Sequence, residues 1–196
     1  MENDIAARFA SDTKLHELTV HRDDGVFRHL VLQRPGTGVD RFELVTWPGC
    51  LCFTGDRGSY VFRRLRDMFE FFRGHGPNPQ YWSEKCEAAD RSDGIERFSP
   101  DAFREVIKER AAAYLQDSAM APAERSAFDA EIEEILRAAD NGSHEALSAA
   151  AEFYWDGTQP FSELWEYRVT EYTHRFLWCC HAIPWAIAKY DQGRKP

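Results

Sequence analysis

The feature that most limits what this chain can fold into is a change of hydrophobic period near residue 64. Before it, KLHELTVHRDDGVFRHLVLQRPG alternates apolar and polar residues on both sides of Asp23-Asp24-Gly25. That is the pattern of two antiparallel strands joined by a tight turn. In RFELVTWPG, Phe42, Leu44 and Thr46 fall on one face and Glu43 and Val45 on the other, and Pro48-Gly49 ends the run. CLCFTG and SYVFRR flank Asp56-Arg57-Gly58 and read as a second hairpin. After Arg64 the period becomes helical: Leu65, Met68, Phe69 and Phe72 share one face, and Gly74-His75-Gly76-Pro77 breaks the run.

The rest reads as helix. NPQYWSEKCEAAD suggests a short helix capped by Asn78, with Pro79 at its first position. FREVIKERAAAYLQ, RSAFDAEIEEILRAAD and HEALSAAAEFYWD follow, opened by Ser99-Pro100, Ala121-Pro122 and Ser143. FSELWEYRVTEYTHRFLWCCHAIPWAIAKYD reads as one long apolar helix, kinked or broken near Pro184. Strands first and helices after make an α+β fold. The expected architecture is an antiparallel meander of four to five strands with a mostly helical C-terminal half packed on it. Residues 1–75 would hold the meander and first helix, and 76–196 the helical part, as a single domain. Asp90 to Gly94 is the best candidate for an internal boundary.

The formal net charge is −9 and aromatic residues make up 14% of the chain. The aromatics supply a core and argue against disorder. The acidity removes bulk electrostatic attraction to nucleic acid, so no direct nucleic-acid binding is expected. Charge is uneven. Residues 84–163 hold 19 Asp and Glu against 8 Lys and Arg, whereas residues 41–75 hold 6 arginines against 4 acids. No apolar run reaches the length of a membrane span, and MENDIAARFASD lacks an apolar signal core. A cytoplasmic protein with free thiols is the expectation, since Cys50, Cys52, Cys86, Cys179 and Cys180 form no disulfide framework.

Five sets of residues could carry chemistry. Cys50 and Cys52 share a strand face, but C-x-C alone is not a zinc knuckle, and packing under the helices is the favoured reading. His16, His21 and His29, with Asp23 and Asp24, could approach a metal only if a bulge rescued the odd spacing of His16 and His21. His174 and His181 share a helical face around Cys179 and Cys180, where a buried helix is the simpler account. Asp56-Arg57 sits at a hairpin tip, with Arg63, Arg64 and Arg66 as a basic cluster that Asp67 and Glu70 could neutralise. Glu124, Asp129, Glu131, Glu133 and Glu134 line an acidic helix that could imitate nucleic-acid phosphates, or could simply be solvated. No metal, cofactor or catalytic residue is assigned. No Walker loop, G-x-S-x-G, H-E-x-x-H or G-x-G-x-x-G occurs, which lowers the weight of an enzymatic reading.

The block WPGCLCFTGDRGSYVFRRLRDMFEFFR, with NPQYWSEKCEAADRSDGIERFSP and FLWCCHAIPWAIAKYD, resembles a family of phage and prophage proteins. The resemblance implies a setting: an accessory protein that blocks a bacterial host's defences, in the manner of an anti-CRISPR. The expected activity is non-enzymatic inhibition of a nucleic-acid-targeting defence complex, a protein or ribonucleoprotein, through the acidic helix and the Asp56-Arg57 tip. A homodimer is kept open as an assembly state. The alternative is an accessory factor for phage recombination or replication, touching DNA or a host protein through Arg57, Arg63, Arg64 and Arg66. A thiol or metal enzyme built on Cys50, Cys52 and His29, or on His174 and His181, is the third reading.

Overall fold

The computed structural model describes residues 2–74, 76–116, 118 and 120–194. His75, part of the break expected after the first helix, lies outside them. In chain order the elements are α1 (Glu2–Thr13), β1 (Glu17–Asp24), β2 (Phe27–Gln33), β3 (Phe42–Trp47), β4 (Cys50–Gly55), β5 (Gly58–Arg63), α2 (Met68–Phe72) and α3 (Pro79–Ser83). There follow β6 (Cys86–Ala89), β7 (Glu96–Phe98), α4 (Pro100–Gln116), α5 (Pro122–Ala138), α6 (Ser143–Ala151), β8 (Thr170–Tyr172) and α7 (His174–Gln192). The α+β class expected from the sequence holds.

Contacts divide the chain into two units, 1–96 with 172–196, and 97–171. This differs from the 1–75 and 76–196 parts read from the sequence. The second unit is an insertion, reached just past the Asp90 to Gly94 stretch.

The first unit is built on a six-stranded antiparallel sheet in the order β1-β2-β3-β4-β5-β6. The sequence predicts four or five strands; the sixth comes from Cys86–Ala89, expected as helix. Its alanines favour helix in isolation, but β5 has an open edge. The segment closes that edge, flanked by Arg63 N–H to Lys85 O at 2.9 Å and Asp90 N–H to Ser59 O at 2.9 Å.

One sheet face is strongly apolar. Leu30, Leu32, Phe42, Leu44, Leu51, Phe53, Tyr60 and Phe62 are all fully buried, in one cluster with Phe176, Trp178, Cys179 and Ile183 of α7. Thus α7 packs back on the sheet, as expected. Of the kink or break expected near Pro184, the break does not occur; α7 runs through it. Proline removes one helical donor, but Cys180, Ile183, Ala186 and Ile187 around it are all buried, and their packing holds the helix together. The helix begins only at His174, where the Thr173 hydroxyl accepts from Phe176 N–H at 3.2 Å. Residues 161–173, expected as its first turns, form a loop, a short 3-10 turn and β8.

The expected short helices are present but trimmed. Asp67 caps α2, accepting from Phe69 N–H at 3.0 Å. Leu65 stays outside α2 and is 45% exposed. Asn78 caps α3 through Tyr81 N–H at 3.1 Å, with Pro79 opening the helix. The β4–β5 hairpin closes with Gly55 opposite Gly58. Gly58 sits at φ +99°, and a Cβ there would collide with the Asp90 carboxylate, which accepts from Ser59 N–H at 2.9 Å. Gly58→Ala is therefore expected to lower stability by about 1–3 kcal/mol, from the left-handed backbone and the lost carboxylate contact. Chemical denaturation of the variant checks this.

The second unit has its own core. Phe103 and Ile107 of α4, Phe128, Ile132, Ile135 and Leu136 of α5, and Ala146 and Ala150 of α6 are buried in one cluster. Phe153, Phe161 and Leu164 join it from the following loop. Helical spacing places the α5 members on one stripe, which leaves the carboxylates on the other side.

Candidate partner-binding surfaces

The five carboxylates of α5 are all exposed. Glu124 reaches back to accept from Ala121 N–H at 3.0 Å, half of a capping box, since alanine offers no side-chain acceptor of its own. Asp129 takes both its contacts from Arg125 Nε at 3.0 Å, and Glu134 pairs with Arg137 at 2.6 Å. Glu131 and Glu133 have no ion pair among the described residues. The helix turn then splits the set. Glu131 and Glu134 line a groove of about 470 Å³ together with Glu152, Tyr154 and Trp155. Asp129 and Glu133 line another, of about 370 Å³, with Lys108 and Arg125.

The first of these grooves is acidic, with no cation among its described lining residues, although Arg137 reaches Glu134 from outside that lining. Tyr154 stands 64% exposed there, while Trp155 is held from below by Phe128, ring centroids 5.2 Å apart. Three carboxylates beside an open phenol ring suit a cationic side chain, which gains from both the charges and the ring face. The sequence reading missed Glu152, Tyr154 and Trp155, because they follow the end of α6 and obey no helical period.

The hairpin tip divides differently from expectation. Asp56 is exposed. Arg57 is not: its guanidinium is held by Asp40 and by Asp12 at 3.1 Å, and it lies 5.5 Å from the Trp178 ring centroid. Its side chain retains 20% of its exposure. Arg57 ties α1 to the hairpin and to the core, so it is withdrawn as a partner-binding residue. Asp56 and Arg57 belong to the first unit and the α5 carboxylates to the second.

The neighbouring arginines also pair otherwise than expected. Asp67 is taken by Arg28 through two hydrogen bonds of 2.8 and 2.9 Å, and Glu70 by Arg73. Burial opposes the charge on Asp67, but Arg28 and the Phe69 N–H outweigh it and hold the carboxyl below its ordinary range. Arg63 reaches Glu87 only at 3.7 Å, and Arg64 and Arg66 are exposed with no ion pair among the described residues.

The histidines and cysteines do not converge. His16 is buried, its Nε2 2.9 Å from Asp40 O. β1 does carry a bulge, between Val20 and Arg22, and it turns His21 onto His29 with rings 5.1 Å apart. His29 in turn bonds Glu43. Asp23 accepts instead from Tyr190 and Arg194, and Asp24 from Arg22. His181 stacks on Phe9 at 5.8 Å, and His174 is driven below its usual pKa by burial and by Arg8 and Arg57. Among the described residues no group of three or more His, Cys, Asp or Glu could hold a metal.

Cys50 and Cys52 are not under the helices. Leu51 and Phe53 alternate with them and face α7, so both cysteines occupy the opposite sheet face. Burial raises the Cys52 thiol, with Glu43 adding to it, and raises Cys86 to about 11. Cys179 and Cys180 are raised well above the ordinary value by burial. These four thiols are held protonated at neutral pH, and a protonated thiol is a poor nucleophile and a poor metal ligand.

Comparison of the chain with protein-family models, with curated proteins and with solved structures finds no match in any of the three. Among the described residues, no helix is long and apolar enough to cross a membrane.

Proposed function

We propose that the chain is a binding protein that presents the α5 carboxylates, with the Glu152–Tyr154 groove beside them, to a basic surface on a partner. The observation that carries this reading is the groove wall: Glu131, Glu134 and Glu152 around an open Tyr154, with no cation among its lining residues. Glu134 is already paired with Arg137, so the gain when a Lys or Arg side chain enters comes chiefly from Glu131 and Glu152, which have no ion pair among the described residues. The resemblance to phage proteins supplies the partner: a host complex that targets nucleic acid, whose DNA- or RNA-binding surface is basic. Occupation of that surface by carboxylates blocks the nucleic acid, so the activity is inhibition by binding.

The test is charge reversal. Glu131→Lys, Glu133→Lys and Glu134→Lys together are expected to weaken partner binding by at least about tenfold, and the wild-type complex to weaken steeply with salt. Pull-down from infected host cells with mass spectrometry identifies the partner, and titration calorimetry at two salt concentrations reads the affinity. Undiminished inhibition by the triple variant would sink this reading. Arg64 and Arg66, without an ion pair among the described residues, favour the second reading, an accessory factor that touches DNA; a low-salt gel shift by the protein alone would establish it and remove the first.

A further inference from the structure

The first unit carries a groove of different chemistry from the acidic one. It has a volume of about 610 Å³ and opens between the end of β5, α2 and α3. That is within the ~300–1,000 Å³ range of small-molecule sites. Its apolar surface comes from Leu65, Phe71, Tyr81 and Trp82. Two of these are left open to solvent, Leu65 at 45% and Tyr81 at 38% exposure. They are not loose. A ladder of ring contacts runs inward, Tyr81 to Phe71 at 5.7 Å, Phe71 to Phe72 at 4.7 Å and Phe72 to Trp82 at 4.8 Å. The outermost ring is therefore braced by the core and remains partly open to solvent.

The charged groups at the groove are unequal. Arg64 lines it, is exposed, and has no ion pair among the described residues. Lys85 Nζ lies 5.0 Å from the Tyr81 ring centroid, but its charge is already paired with Glu84 at 3.2 Å. The acid in the wall, Glu70, is already bound to Arg73. In a chain of net charge −9, a guanidinium without an ion pair among the described residues, beside a braced and partly open aromatic ring, suits an anion that carries a planar group. A guanidinium matches a phosphate through two parallel hydrogen bonds, and a phenol ring offers a stacking surface to a nucleobase.

We propose that this groove binds a nucleotide, with its base laid against Tyr81 and Leu65 and its phosphate on Arg64. This site is separate from the acidic α5 surface, and neither reading depends on the other. Both halves of the ligand are required: the base alone would leave Arg64 unpaired, and phosphate alone would leave the apolar wall in water.

The experiment titrates the full chain with adenosine monophosphate, adenosine and inorganic phosphate at low salt, by calorimetry and by chemical-shift mapping. The monophosphate is expected to bind with a Kd of about 1 mM or tighter, and adenosine and phosphate each at least about tenfold more weakly. Arg64→Ala and Tyr81→Ala should each cost about tenfold, whereas Tyr81→Phe, which keeps the ring, should bind as the wild type does. The Tyr81 link to the Asn78 cap runs through the backbone N–H, so these variants keep the local fold, and circular dichroism verifies it. No binding of the monophosphate at 10 times that concentration, equal binding of adenosine or phosphate, or indifference to both alanine variants would overturn the assignment.

Discussion

Trp178→Ala is expected to lower stability by about 3–5 kcal/mol, enough to leave a typical domain close to unfolding. Trp178 is fully buried. Its ring meets Phe9 at 5.0 Å, Phe42 at 5.4 Å and Phe53 at 6.3 Å, which joins α1, β3 and β4 to α7. Its indole N–H donates to Asp12 at 3.1 Å, and Arg57 covers the ring. Truncation removes the apolar volume and also frees Asp12 and Arg57 from a shared partner. Trp178→Phe restores most of the volume without the donor and should recover more than half of the loss. Denaturant titration of the two variants measures both. A loss below about 1 kcal/mol for the alanine variant would show that α7 is not keyed into the sheet by this residue.

The second large effect concerns Arg28 and Asp67. Only 10% of the Arg28 side chain and 25% of Asp67 remain exposed. Asp67→Ala removes the α2 cap and strands a buried guanidinium, for an expected loss of about 3 kcal/mol. Arg28 also lies 4.4 Å from the Phe69 ring centroid, so its packing survives the loss of the charge partner. Asp67→Asn keeps an acceptor for Phe69 N–H and separates the two contributions. The pH dependence follows from the depressed Asp67 pKa. Its contribution is fully present above the ordinary value of 3.8 and is lost as pH falls through the lower folded value. The thermal midpoint of the wild type should drop on acidification below pH 4 more than that of Asp67→Asn.

What the sequence made legible was set by local chemistry. The β1–β2 and β4–β5 hairpins were readable because alternation and turn residues agree, and Asn78 and Pro79 marked the start of α3. The sixth strand was not readable. Cys86–Ala89 has helical residues, and only the open edge of β5 makes it a strand. α1 went unassigned for a similar reason. Its buried Ile5 and Phe9 are only two apolar positions, and their burial comes from packing at α7. Of the kink or break expected at Pro184, the break does not occur, because local preference for it is smaller than the packing around it.

The candidate surfaces show the same limit. The carboxylates of α5 were visible from spacing alone, and the structure leaves them exposed. Arg57 looked like an exposed tip but is consumed by Asp12 and Asp40, one distant in sequence and both invisible to local reading. The bulge at His21 could not be read either, since nothing in LTVHRDD marks it. Both grooves depend on residues brought together by tertiary packing, Glu131 with Tyr154 and Arg64 with Tyr81.

The insertion of residues 97–171 between the sheet and α7 has a consequence during synthesis. At about 5–20 residues per second, the ribosome needs roughly 4–15 s to make that stretch. Throughout this interval the apolar sheet face has been made but its covering helix has not. The inserted unit has a separate core and can fold as it emerges, whereas the sheet must wait for the last helix. The nascent chain therefore passes through a stage that displays a broad hydrophobic surface, and its yield in a cell should rise with the supply of holdase chaperones.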